Sequence, residues 1–108
     1  QHKGLLSGGW EKLSLAEQFG NIGSEVSRAF IWHDRDRTLS YKAIERALEL
    51  IDFTLSDSRW VISHRLKEIC RVRELLCDAV FGDNVFKTSL HDLDQYFLSF
   101  ALLARAKK

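Results

Sequence analysis

Apolar and small residues recur every three or four positions along most of this chain, the spacing of amphipathic helices. Four such segments are expected. The first runs from about Trp10 to His33, with Leu13, Ala16, Phe19, Ile22, Val26 and Phe30 on its apolar stripe. Ser14 followed by Glu17 matches a capping box, so the regular helix is expected to begin there. The second runs from about Leu39 to Leu55, where Tyr41, Ile44, Ala47, Leu48, Ile51 and Leu55 align. The third runs from about Arg59 to Phe81 and carries Ile62, Leu66, Ile69, Cys70, Leu76, Cys77 and Val80 on one side. Gly82 falls where a left-handed residue would close it. The fourth follows Ser89 and Asp92, a second capping pattern, and aligns Leu90, Leu93, Tyr96, Phe97, Phe100, Leu103 and Ala104.

Short charged or polar connections, such as "HDRDRT" and "SDS", separate these segments and favour antiparallel neighbours. The SDS turn also supplies an N-cap. The expected fold is all-α, an antiparallel up-down-up-down four-helix bundle in one domain over residues 1–108. Residues 1–9 are expected to form its flexible lead-in. The alternative is a three-helix core with helix 1 or helix 4 docked on a partner chain. Strand-like alternation and internal repeats are absent from the sequence.

Composition supports a packed interior: 45 % of residues are hydrophobic. Sixteen basic and fifteen acidic residues leave a formal net charge of +1, which gives no global attraction to nucleic acid or an anionic membrane. The longest apolar run, around Tyr96 to Ala104, is interrupted by Ser99 and falls short of the ~20 residues that span a bilayer. No membrane contact is expected, and "QHKGLLSGGW" lacks the apolar core of a secretory signal. Cys70 and Cys77, seven apart on one helix, stand ~10 Å apart along its axis, beyond disulfide reach. Free thiols suit a reducing, cytoplasmic setting.

The first helix contains an apparent defect. "LAEQFGNIGSEVSRAF" carries Gly20, Gly23, Ser24 and Ser27 in its middle, and each glycine costs a helix roughly 1 kcal/mol relative to alanine. Ala16, Gly20, Gly23 and Ser27 lie on one face, where missing side chains let another helix backbone approach. That backbone could belong to the same bundle or to another subunit. A third reading is a ligand groove floored by glycine and edged by Glu17, Asn21, Glu25 and Arg28. The same stretch resembles short helical-bundle proteins found in bacteria, a resemblance that implies an all-helical fold and no particular activity.

One pattern could carry chemistry. "RWVISH" places Arg59 five residues before His64, and it resembles the Arg-x4–6-His motif of HEPN-type helical domains. The resemblance implies a metal-independent ribonuclease, often assembled across a dimer, with Arg59 and His64 as its catalytic pair. The chemistry is reasonable: histidine moves a proton near neutral pH, and arginine stabilises charge developing on phosphate. With nine arginines and four histidines in the chain, about one such spacing arises by chance. A second hit, Arg28 with His33 in "RAFIWH", shows this. The bland alternative is a surface arginine beside a partly exposed histidine.

No cofactor and no metal site are expected; His64 and Glu68 share a helical face but lack further ligands. Arg65, Lys67, Arg71 and Arg73, with Lys107 and Lys108, give a modest basis for nucleic-acid contact, interleaved with Glu68, Glu74 and Asp78. Arg73 falls within the apolar stripe and is expected to be a buried polar residue paired with Glu17, Glu25 or Asp92. Trp10, Trp32 and Trp60 all sit near helix ends, as does Phe86, and a shared exposed surface among them would mark an interface. The leading expectation is therefore a cytoplasmic interaction or oligomerisation module, with a homo-oligomer or a protein partner. The alternative is a HEPN-like ribonuclease or RNA-binding domain using Arg59 and His64.

Overall fold

A computed structural model describes residues 9–61 and 65–106. Among them all regular structure is helical. A 3-10 turn, Trp10–Lys12, precedes α1 (Leu15–Trp32); α2 (Arg37–Leu55), α3 (Ser58–Val61), α4 (Arg65–Val80) and α5 (Leu90–Ala106) follow. The Cα radius of gyration, 13.5 Å, matches the ~13 Å of a compact chain of this length.

The helix starts follow from local chemistry. Ser14 Oγ accepts the Glu17 N–H at 3.1 Å, and Glu17 Oε1 accepts the Ser14 N–H at 3.0 Å. Ser89 and Asp92 make the same reciprocal pair at the start of α5; those bonds hold the Asp92 carboxyl below its usual range. Asp36 caps α2, two residues earlier than the apolar stripe suggests.

α1 packs most extensively against α5 and α2, and α4 closes against α2 and α5. Phe19, Ile22, Val26, Ile44, Ile51, Ile69, Leu76, Leu93 and Phe97 form the centre of the core. Gly20 lies against Ala101, Gly23 against Phe97, and the Phe30 ring against His91. Rising numbers in α1 therefore meet falling numbers in α5, and the two helices run in opposite directions. α1 and α2 are tied by Ser40 Oγ donating to the Ala29 carbonyl and by Arg46 bonding Glu25. Arg73 with Asp52 links α2 to α4, and Tyr41 stacks on Phe81 just past the end of α4.

The expected third helix corresponds to α3 and α4; residues 62–64 between them lie outside the described residues. Several expectations change. Gly82 is not left-handed; the left-handed residues among those described are Asn84 (φ 53°) and Lys87 (φ 54°). Glycine at 82 answers to space instead, because a Cβ there would stand 3.1 Å from Asp78 Cα and 3.2 Å from its carbonyl oxygen. The Asp78 carboxylate then accepts the Val85 and Phe86 N–H groups, organising the loop before α5. In α2 the buried face is turned by about one residue, so Ala43, Leu50 and Thr54 are buried while Tyr41 is exposed. Leu103, expected inside, is exposed as well.

Candidate functional site

Two places in the fold bear on function: a polar corner around Arg59, and a groove between α1 and α5.

The corner joins the start of α1, the end of α2 and α3. Asp57 is 2 % exposed and is the N-cap of α3. Its Oδ1 accepts the Arg59 N–H and Nε–H, each at 3.0 Å. Its Oδ2 accepts Arg59 Nη2 at 2.7 Å and Gln18 Nε2 at 3.0 Å. Four donors fill the acceptor sites of one carboxylate. The Arg59 bonds, aided by Gln18, outweigh burial and lower the Asp57 carboxyl from 3.8 to about 2. Gln18 is itself fully buried, donating also to the Trp10 carbonyl and accepting Trp60 Nε1. Trp10 Nε1 in turn donates to Thr54 Oγ1.

Arg59, a candidate catalytic residue from the sequence, is therefore committed to structure. Its Nη2 also donates to the Leu13 carbonyl at 2.6 Å, and its guanidinium lies 4.6 Å from the Trp60 ring centre. A guanidinium fixed on a neighbouring carboxylate has its charge largely offset before any phosphate arrives. Its candidate partner, His64, lies outside the described residues. In the second spacing hit, Arg28 bonds Glu25 at 2.6 Å, and His33 is half-exposed beside Asp34. Among the described residues no three His, Cys, Asp or Glu side chains group to hold a metal ion.

The tryptophans do not share one surface. Trp10 is 3 % exposed and belongs to the core, meeting Trp60 through Gln18. Trp32 sits at the far end of α1. Arg73 is not a buried polar residue: its side chain is 39 % exposed and pairs with Asp52 at 2.9 Å, across the α2–α4 surface. That pairing raises its already high pKa. The buried charges are instead the carboxylates of Asp57 and of Glu25 on α1, the latter held by Arg28 and by Arg46 of α2. Gln18 and Glu25 carry a weak signal in sequence, since each adjoins the apolar stripe of α1 with helical spacing to it.

The small-residue face of α1 does meet another backbone, that of α5. A Cβ built on Gly23 would lie 2.5 Å from Phe97 Cβ, far inside contact distance; one on Gly20 would lie 3.4 Å from Ala101 Cα. Outside this contact the two helices leave a groove of about 460 Å³, open to solvent. Gly20, Gly23, Ser27 and Ala101 line it, and exposed Ile31 and Leu98 border it with Trp32. Ala16 is partly buried one turn before Gly20. Asp94 and Arg28 lie towards one end of the groove, and Arg105 lies at the other. Of the edges expected for a ligand groove, only Arg28 is among these residues.

No helix among the described residues is long and apolar enough to cross a membrane. Compared with known proteins, the chain matches no family model, no curated protein and no solved structure.

Proposed function

We propose that this protein is an interaction and oligomerisation module that docks a helix of another chain in the α1–α5 groove. The long helices α1, α2, α4 and α5 form the scaffold, read as an up-down-up-down antiparallel bundle in one domain. Its support is the running order of contacts: Gly23 with Phe97, Arg46 with Glu25, and Arg73 with Asp52. Free Cys70 and Cys77 suit a cytoplasmic setting.

The observation that carries the reading is an apolar border beside a floor of small residues. Ile31 is 54 % and Leu98 44 % exposed, flanking a groove whose base is nearly backbone. Such surface costs free energy in water and is relieved by a partner's side chains. The ribonuclease reading would need Arg59 to turn from Asp57 to a phosphate, so the geometry favours the interaction module.

Sedimentation of the purified protein over a range of concentrations tests the proposal, with Leu98→Glu alongside. The wild type should associate, and the variant should stay monomeric with unchanged helicity. Association indifferent to Leu98→Glu, or a wild type monomeric throughout, would refute it.

A further inference from the structure

Beside Phe97, which packs on Gly23, the stripe of α5 along this groove is Asp94, Leu98, Ala101 and Arg105. Their spacing of four, three and four keeps them on one side of the helix and is the seam spacing of paired helices. The stripe has an internal symmetry. The midpoint of 94 and 105 and the midpoint of 98 and 101 both fall between residues 99 and 100. Turned end for end about that point, the stripe sets Asp94 against Arg105 and Leu98 against Ala101. An acid faces a base, and a large side chain faces a small one.

Among the described residues, neither Asp94 nor Arg105 has an ion-pair partner within the chain. The dipole of α5 favours an acid early and a base late. It is indifferent to which face they occupy, yet both lie on the groove side with apolar residues between them. Resting on the docking function above, we infer that the occupant of the groove is a second copy of this chain. The two α5 helices lie antiparallel about a two-fold axis between residues 99 and 100. Two-fold symmetry repeats every contact, giving two Asp94–Arg105 pairs and two Leu98–Ala101 contacts per dimer. The pairs stand ~16 Å apart along each helix, at either end of the apolar centre. Ala101 is small enough to receive Leu98 of the second copy without parting α5 from Gly20.

Charge reversal tests the inference, read by sedimentation equilibrium at low salt. Asp94→Arg alone and Arg105→Asp alone each set like charges together twice, and each should weaken dimerisation by about tenfold or more. The double variant, Asp94→Arg with Arg105→Asp, restores both pairs and should return to within about threefold of the wild type. Circular dichroism should give each single variant the helicity of the wild type. Single reversals without effect, or losses that accumulate in the double variant, overturn the antiparallel seam. If Leu98→Glu abolishes association while the double reversal fails to recover it, the docking groove stands and this arrangement of it falls. A monomeric wild type overturns both.

Discussion

Gly20 and Gly23 lie three residues apart on the same face of α1, yet replacing each by alanine should shift stability in opposite directions. Alanine in place of glycine within a helix is worth roughly 1 kcal/mol by propensity alone. At Gly20 the new methyl would meet Ala101 Cα at 3.4 Å, an ordinary contact, so most of that gain is kept and Gly20→Ala should stabilise by about 0.5–1 kcal/mol. At Gly23 the methyl would stand 2.5 Å from Phe97 Cβ. Phe97 Cβ is fixed to the α5 backbone and cannot swing away, so the two helices must part or α5 must slide. Overpacking of this kind costs about 1–3 kcal/mol. It also opens the contact of Phe97 with Phe19, whose rings stand 5.6 Å apart edge to face. After the propensity gain, and with the ring contact loosened, Gly23→Ala should still destabilise, by up to about 2 kcal/mol, and Gly23→Leu by more. Urea unfolding followed by circular dichroism reads both changes at one protein concentration. Two stabilised variants, or two destabilised equally, would refute the reasoning that Gly23 marks a backbone contact and Gly20 its looser margin.

Other consequences follow from the charged groups. The Asp57 carboxyl, lowered to about 2 from 3.8, contributes about 2 kcal/mol that is fully present above the unfolded value and lost as pH falls through the folded one. Acid titration of stability between pH 5 and pH 2 should therefore show a slope that Asp57→Asn removes, and the two proteins should converge at the acid end. Glu25→Ala leaves Arg28 and Arg46 without their buried carboxylate and should cost about 2 kcal/mol. Arg73→Ala breaks an exposed pair and should cost under ~1 kcal/mol; a larger loss in chemical denaturation would mean that Arg73 is buried after all. Incubated with RNA, the wild type and His64→Ala should be alike and inactive, while cleavage by the wild type alone would establish the ribonuclease reading.

What the sequence made legible is what a few neighbouring residues decide. The capping boxes at Ser14 and Ser89 needed only their own turns, and both form. The glycines of α1 pointed to a close backbone because their helix penalty needs a compensating contact, and Phe97 supplies it. Properties set by distant chain were hidden. Arg73 lies on an apolar stripe by spacing, but a carboxylate on α2, distant in sequence, draws it to the surface, where it pairs with Asp52. Trp10 precedes α1 and looks free, yet Thr54 and Gln18 hold it in the core. Gly82 stands where left-handed glycine is common, but the chain turns at Asn84 instead. The Asp94–Arg105 stripe was open to inspection throughout. Its meaning depended on α1 lying alongside, so that the stripe borders a groove.

The antiparallel seam is tested most directly by spin labels placed singly along α5, with Cys70 and Cys77 replaced. Distances between the two copies are then read by pulsed electron resonance. Axial separation should be smallest for a label at Ser99, on the order of 2 Å, and grow to ~14 Å at Gln95 and ~20 Å at Ala106. A distance that is shortest at Ser99 and rises towards both ends is the predicted result. One that stays constant along the helix, as parallel helices would give, or that is too long to measure at every site, would contradict it.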